Sequence, residues 1–227
     1  MIKKDKSWVS PKHLMITLYA GLLFLACACV NTGMTNTILP RICDQRGWNY
    51  ADTLPFMSYG GYLGAVATLL FAQLVVKKGA KFVIILGLVL GGICLALYGS
   101  TSVFAVFVLC IIGNRVFSCA YQQAGCTALL NSWFPRKKGV VLGWATMGII
   151  LSDVLWSPYI PRAIQAVGTP ATMAIIGGIF LLTALFTALA VKNIPEEAGC
   201  FPDNDPTGLQ DLEANRAAMG TYRTSFT

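Results

Sequence analysis

Two charged residues interrupt otherwise apolar stretches of this sequence, and they are the first candidates for chemistry. Arg115 lies in the stretch that ends at Trp133, and Asp153 lies in the stretch that follows Lys138. At the helical rise per residue, Arg115 is about 27 Å from Trp133 and Asp153 is about 22 Å from Lys138. On consecutive antiparallel helices these similar depths would let the two side chains meet. Such a pair predicts either a substrate path with a gate or an ion pair that only fixes helix register.

Further polar side chains lie in the same apolar stretches, where their burial in lipid is costly. Arg115, Ser118 and Gln122 are spaced i, i+3, i+7, and Asn31 and Thr35 are four residues apart, so each set shares one helix face. We therefore expect a polar pathway through the protein. Its candidate residues are Asn31, Thr35, Tyr59, Tyr62, Arg115, Tyr121, Gln122, Asp153 and Trp156.

Motifs of enzymes are absent from the sequence. It contains no G-x-S-x-G, no H-E-x-x-H and no Walker glycine–lysine motif. One histidine, His13, is too few for a zinc site, and most of the eight cysteines lie in apolar stretches where a thiol behaves as a small hydrophobe. We predict that the protein is not an enzyme and needs no metal or other cofactor.

The elements that must position these residues follow from composition. The chain has 227 residues, of which 56% are hydrophobic and 12% are charged. Soluble domains carry about 25% charged residues, which is roughly twice the charged fraction of this chain. Several stretches without acidic or basic residues reach the roughly 20 residues that a helix needs to cross a bilayer. The sequence therefore predicts a multi-pass membrane protein and excludes a soluble globule, a disordered tail and a nucleic-acid binder.

Hydropathy divides the chain into a membrane part, residues 1–192, and a cytoplasmic linker or tail of polar composition, residues 193–227. Six apolar spans follow one another in the first part: 14–39, 53–76, 81–99, 102–134, 139–167 and 170–191. Spans 3 and 6 contain almost no polar residue, whereas the candidate pathway residues lie in the other four. We expect spans 1, 2, 4 and 5 to surround the polar pathway.

The basic residues predict the orientation of the spans. Of the 17 Lys and Arg residues one is Arg115, two (Arg41 and Arg46) lie in the loop after span 1, and Arg162 lies near the same end of span 5. This leaves 17 − 4 = 13 on the opposite side with both termini. By the positive-inside rule both termini are cytoplasmic, and we expect the plasma membrane as the location.

Glycine spacing predicts where helices approach one another. Gly60 and Gly64, Gly87 and Gly91, and Gly139 and Gly143 are each four residues apart. Such small-residue faces let helix backbones pack closely. We favour a packing role, and smooth faces of this kind would also allow helices to slide or rock.

Two segments carry a family resemblance. Residues 133–139 read Trp-Phe-Pro-Arg-Lys-Lys-Gly and resemble the W-F-P-x-(K/R)-(K/R)-G turn between helices 4 and 5 of major facilitator superfamily transporters, above all the oxalate/formate-antiporter-like branch. Residues 195–203 are similar to the P-E-E-x-G-x-x-P-D stretch after helix 6 of that branch. Residues 77–81 match the family's loop between helices 2 and 3 in part, and Arg115 matches its helix-4 arginine. The motif residues of the loops are Lys77, Lys78, Gly79, Lys81, Trp133, Phe134, Pro135 and Gly139.

The resemblance implies an all-α integral membrane fold, with six transmembrane helices that form one half of a major facilitator superfamily fold, a 3+3 inverted repeat. It implies a secondary active transporter that works by alternating access, driven by an ion gradient or by exchange. The implied substrate is a small organic anion such as a mono- or dicarboxylate.

The implied partner, besides the lipid bilayer, is a second six-helix half, which is either a missing C-terminal half or a homodimer mate. The alternative is a non-transporting membrane subunit or truncated remnant that only assembles with such a unit.

Overall fold

The computed structural model of the protein describes residues 10–205, except for the side chains of residues 32–36 and 157. Every regular element in this part of the chain is a helix. The elements are α1 (Pro11–Ala28), the π-helix π1 (Cys29–Ile38), α2 (Leu39–Arg46), α3 (Tyr50–Lys78), α4 (Ala80–Ser100), α5 (Phe104–Ser118), the π-helix π2 (Cys119–Cys126), α6 (Thr127–Trp133), α7 (Lys138–Val167), α8 (Thr169–Ala190) and two 3₁₀ turns, Pro195–Ala198 and Pro202–Asn204.

Six of these helices are long and apolar enough to cross a membrane, which confirms the predicted six-span, all-α fold. Span 1 consists of α1, π1 and α2, and span 4 consists of α5, π2 and α6. Spans 2, 3, 5 and 6 are α3, α4, α7 and α8. We call the end with the loops at residues 77–81 and 134–138 the basic end, and the end with residues 47–49, 101–103 and 168 the far end.

Short turns make consecutive spans antiparallel. A single glycine, Gly79, separates α3 from α4, and Gly168 separates α7 from α8. Both have positive φ values, 87° and 82°, which a residue with a side chain rarely adopts. At the start of α3 the Asn49 side chain accepts a hydrogen bond from the Ala51 amide at 3.0 Å, as a helix N-cap does.

Glycines set the closest helix contacts. A Cβ on Gly177 of span 6 would lie 2.6 Å from the Gly92 oxygen of span 3, so these two backbones touch. A Cβ on Gly60 or Gly64 of span 2 would lie 2.9 Å from an atom of span 4, which confirms that pair as a packing face. The pair Gly139 and Gly143 was predicted wrongly: both are exposed, and a Cβ on either would meet nothing within 4 Å.

Spans 2 and 5 are the least covered helices of the bundle. In span 2 the apolar window is 11% buried and in span 5 it is 22% buried, against 50% in span 3. Span 5 packs mainly on span 1, and span 2 mainly on span 4. The other faces of spans 2 and 5 are left as apolar surface for lipid or for further helices.

The segment after span 6 differs from the predicted linker. Residues 193–205 fold across the basic end of the bundle with Pro195, Pro202 and Asp203 buried. Composition alone did not indicate this, because proline and aspartate are common in linkers. Here the two prolines pack and the aspartate is hydrogen bonded. We call residues 193–205 the strap; residues 206–227 lie outside the described part of the chain.

Candidate functional site

Side chains of spans 1 and 4 form a polar cluster inside the bundle. The Asn31 side-chain amide donates to the Cys27 sulfur at 3.0 Å and to the Ser118 hydroxyl at 3.4 Å. The Cys27 thiol in turn donates to the Gln122 oxygen at 3.9 Å. Ser118 donates to the Arg115 carbonyl oxygen one turn earlier at 2.7 Å. We call Cys27, Asn31, Arg115, Ser118 and Gln122 the polar cluster.

Arg115 lies where span 2 comes closest to span 4. A Cβ on Gly60 would be 2.9 Å from the Arg115 Cβ, and a Cβ on Gly64 would be 2.9 Å from the Cys119 sulfur. Arg115 is half-buried, and its Nε atom is buried with no hydrogen-bond partner. Among the described residues no carboxylate forms an ion pair with it. The cluster therefore holds a cation whose charge is not balanced by the described protein.

The predicted ion pair between Arg115 and Asp153 is wrong for this structure. Asp153 is exposed, and in the described part of the chain the two residues form no ion pair. The prediction took spans 4 and 5 as neighbours at mid-membrane because they are consecutive. In the structure span 4 packs against spans 2 and 3, and span 5 packs against span 1. Equal depth therefore does not bring the two side chains together.

Both helices that carry the polar cluster contain a π-helical stretch. Asn31 lies in π1 and Gln122 in π2. π-Helical turns are rare and occur mostly at functional sites, because they widen the helix and redirect its side chains. Thr35 also belongs to π1, but its side chain lies outside the described residues. The location of these stretches agrees with a site at the contact of spans 1 and 4.

The other predicted pathway residues whose side chains are described form no hydrogen bond with the polar cluster. Tyr59 and Tyr62 are 54% and 73% exposed on span 2. Trp156 is half-buried on span 5, and its indole nitrogen is buried without a partner. Tyr121 is 1% exposed and packs edge-on against Phe180 of span 6 at 5.8 Å between ring centroids. Among the described side chains, the structure thus groups Asn31, Arg115 and Gln122 of the predicted set.

Sequence reasoning missed one residue of this region and left another out of the candidate set. Cys27 was counted as a hydrophobe, although it stands four residues before Asn31 and so on the same helix face. Asn114 is 4% exposed, and both polar atoms of its amide are buried without a partner. Its position beside Arg115 in an apolar span was the available signal, because lone buried amides in membranes are costly.

The loop-motif residues meet at the basic end. The Trp133 indole donates to the Lys192 carbonyl at 3.1 Å, and Trp133 and Phe134 are both buried. The Lys81 amide donates to the Asn193 side chain at 2.9 Å, which ties the start of α4 to the strap. Lys77, Lys78 and Gly139 are exposed, Pro135 is half-buried, and a Cβ on Gly79 would meet Asn193.

His13 and Asp203 hold the strap in place. His13 is fully buried, with its Nε2 atom 3.0 Å from the Phe201 carbonyl oxygen and its ring edge-on to Trp133. The Asp203 carboxylate accepts from the amides of Arg136 at 2.8 Å and Lys137 at 3.3 Å. These amides precede α7, where a negative charge is favourable at a helix N-terminus.

Six apolar helices around a polar, cationic cluster at mid-span are typical of membrane transport proteins. The family model of the Major Facilitator Superfamily matches residues 21–218, and the chain belongs to this family. It is therefore a multi-pass membrane protein of a transporter family.

One curated relative adds to this picture. The MFS-type transporter pynF of Aspergillus niger is 27% identical to the chain over 141 residues. The match covers 61% of the chain but only 32% of the relative, so the chain spans about a third of that protein's length. No solved structure matches the chain.

Proposed function

We propose that the chain is one six-helix half of a secondary active transporter for a small organic anion, such as a mono- or dicarboxylate. The observation that carries this proposal is the half-buried Arg115 guanidinium, which has no carboxylate partner among the described residues. Away from water a cation attracts an anion much more strongly than it does in solution. Asn31 and Gln122, which are linked through Cys27, are the polar groups of the cluster that would orient a bound carboxylate.

A second six-helix unit would complete the transport path. Transporters of this kind alternate access by moving two helix bundles around a site between them, and one bundle gives only one wall. The uncovered faces of spans 2 and 5 and the partial match to the relative support this reading. The second unit is a C-terminal half or another copy of this chain. The resemblance of residues 133–139 and 195–203 to oxalate/formate antiporters favours exchange of carboxylates.

The basic residues support an orientation. The loops at residues 77–81 and 134–138 carry lysines and one arginine, whereas the far-end loops carry fewer basic residues. By the positive-inside rule the basic end, with both termini, faces the cytoplasm, and we place the protein in the plasma membrane.

Anion binding tests the proposal directly. Purified chain in detergent is titrated with labelled formate, acetate and oxalate by equilibrium dialysis. A hydrogen bond to a charged group contributes about 1.5–3 kcal/mol, so Arg115→Gln should weaken binding about 10- to 100-fold. Arg162→Gln is the matched control, because Arg162 is an exposed arginine of span 5. Equal affinity of Arg115→Gln and the wild type would overturn the proposal.

Transport by proteoliposomes separates the two forms of the proposal. Uptake of the bound anion by the chain alone would mean that two copies form the carrier. Binding without uptake would mean that the chain needs a different six-helix unit. The absence of both binding and uptake favours the alternative of a non-transporting subunit or remnant, which the partial match to the relative also allows.

A further inference from the structure

A second arginine, at the far end, is surrounded by aromatic rings. Arg46 ends α2, and its guanidinium carbon lies 5.1 Å from the Trp48 ring centroid and 5.6 Å from that of Phe107. Its Nη2 atom donates to the Gly99 carbonyl at 2.6 Å. The ring of Tyr98 stacks on Phe107 at 4.7 Å, so the tyrosine belongs to the same aromatic group.

Two buried donors in this group have no protein partner in the described part of the chain. They are the Nη1 atom of Arg46 and the hydroxyl of Tyr98, which is fully buried. Most buried polar groups are hydrogen bonded, because an unmade bond costs the full desolvation of the group. The Arg46 Nη1 atom can only donate, whereas the Tyr98 hydroxyl can donate or accept. A shared acceptor would satisfy both atoms.

The charge of Arg46 also lacks a described counter-ion. The two acidic residues nearest in sequence, Asp44 and Asp52, are exposed, and neither forms an ion pair with Arg46 among the described residues. A half-buried, permanently charged group without a counter-ion is unfavourable, because desolvation is not offset by an opposite charge.

We infer that Arg46 and Tyr98 bind a small monatomic anion, chloride under physiological conditions, at the far end between spans 1, 3 and 4. An anion accepts from both donors and balances the guanidinium charge, which water would do only in part. The enclosure of both donors favours a monatomic ion over a carboxylate, because each atom exposes almost no surface. This site is separate from the polar cluster at Arg115, and the inference does not depend on the proposed function.

Chloride-dependent stability tests this inference. The melting temperature of the purified chain is measured in sodium chloride and in sodium gluconate of equal ionic strength, so that screening is the same. At 100 times the dissociation constant, binding to the folded state alone should raise the melting temperature by about 5–10 °C. Bromide should act like chloride, and gluconate should not.

Four variants locate the effect. Arg46→Gln should abolish the chloride-dependent rise, and Tyr98→Phe should reduce it. Arg41→Gln, a matched arginine of α2, and Arg115→Gln should retain it. Broadening of the chlorine NMR line by wild-type protein, absent in Arg46→Gln, gives a measurement that does not depend on melting.

Other outcomes would overturn the inference. Equal melting in chloride and gluconate would mean that water satisfies the two donors. A chloride effect that persists in Arg46→Gln but disappears in Arg115→Gln would move the anion to the polar cluster, in agreement with the proposed function and against a far-end site.

Discussion

The position of Arg115 depends on the residues that face it from span 2. Gly60 and Gly64 let span 2 approach so closely that the arginine side chain has glycine rather than a larger residue beside its Cβ. No described acidic residue forms an ion pair with it. In a membrane such a cation is retained for a function or for a partner, because its burial is costly.

The separation of Arg115 from Asp153 leads to a prediction about coupling. Arg115→Gln and Asp153→Asn should have additive effects on the free energy of unfolding, within about 0.5 kcal/mol, because residues without contact rarely couple. Asp153→Asn alone should change stability little, since the side chain is exposed. Thermal melting of the two single variants and the double variant in detergent gives the coupling energy. A coupling energy of about 1 kcal/mol or more would show that Arg115 and Asp153 do form an ion pair.

Residue types and spacing indicated part of the candidate site. The i, i+3, i+7 spacing of Arg115, Ser118 and Gln122 describes one face, and the structure places Ser118 and Gln122 next to Asn31 and Cys27 of span 1. The spacing could not show which helix lies opposite. Asp153 was assigned a partner from depth alone, and helix neighbours depend on packing between spans that periodicity does not encode.

Individual glycines determine how closely the helices pack. A Cβ on Gly148 of span 5 would overlap the Gly21 carbonyl oxygen of span 1 and lie 3.1 Å from the Leu25 nitrogen. The spacing motif instead indicated Gly139 and Gly143, which face open space. A four-residue spacing marks a smooth strip on a helix, but it does not tell whether a neighbour covers that strip.

This contrast gives a matched pair of variants. Gly148→Ala should lower the free energy of unfolding by about 1–3 kcal/mol, because the added methyl group overpacks the contact of spans 1 and 5. Gly143→Ala, on the same helix, should be neutral or stabilise by about 0.5–1 kcal/mol through reduced backbone entropy. Melting temperatures in detergent measure both. Equal losses for the two variants would contradict the close contact at Gly148.

The strap acts as a structural element rather than as a linker. Asp203 has a φ of 53°, a left-handed conformation that aspartate tolerates better than most residues, and its carboxylate accepts two amides before α7. Asp203→Ala should therefore cost about 1–3 kcal/mol, because two amides lose their acceptor. Glu197→Ala is the control, since Glu197 is an exposed carboxylate of the same strap. A loss no larger than that of Glu197→Ala would show that the strap does not stabilise the bundle.

For the whole molecule, the charge distribution predicts an orientation in the membrane that cysteine labelling can test. The native Cys43 is fully buried and so cannot report it. Asp52→Cys at the far end and Lys78→Cys at the basic end place thiols at exposed positions. An impermeant maleimide applied to intact cells should label Asp52→Cys and leave Lys78→Cys unlabelled until the cells are opened. Labelling of Lys78→Cys in intact cells would reverse the proposed topology.

The uncovered face of span 2 predicts where a second six-helix unit binds. Leu69 on span 2 is 68% exposed and Leu182 on span 6 is 66% exposed, so a Trp at either position is equally accessible. We assign the first face to the partner and the second to lipid, because span 2 packs directly on Arg115 at Gly60, whereas span 6 packs mainly on span 3. Leu69→Trp should then reduce association about 5- to 150-fold, since overpacking costs about 1–3 kcal/mol. Leu182→Trp should leave association unchanged.

Co-purification of the tagged chain in lipid nanodiscs, followed by native mass spectrometry, counts the bound copies or second units. If both variants associate as the wild type does, the face of span 2 contacts lipid, and the half-transporter proposal loses its structural support.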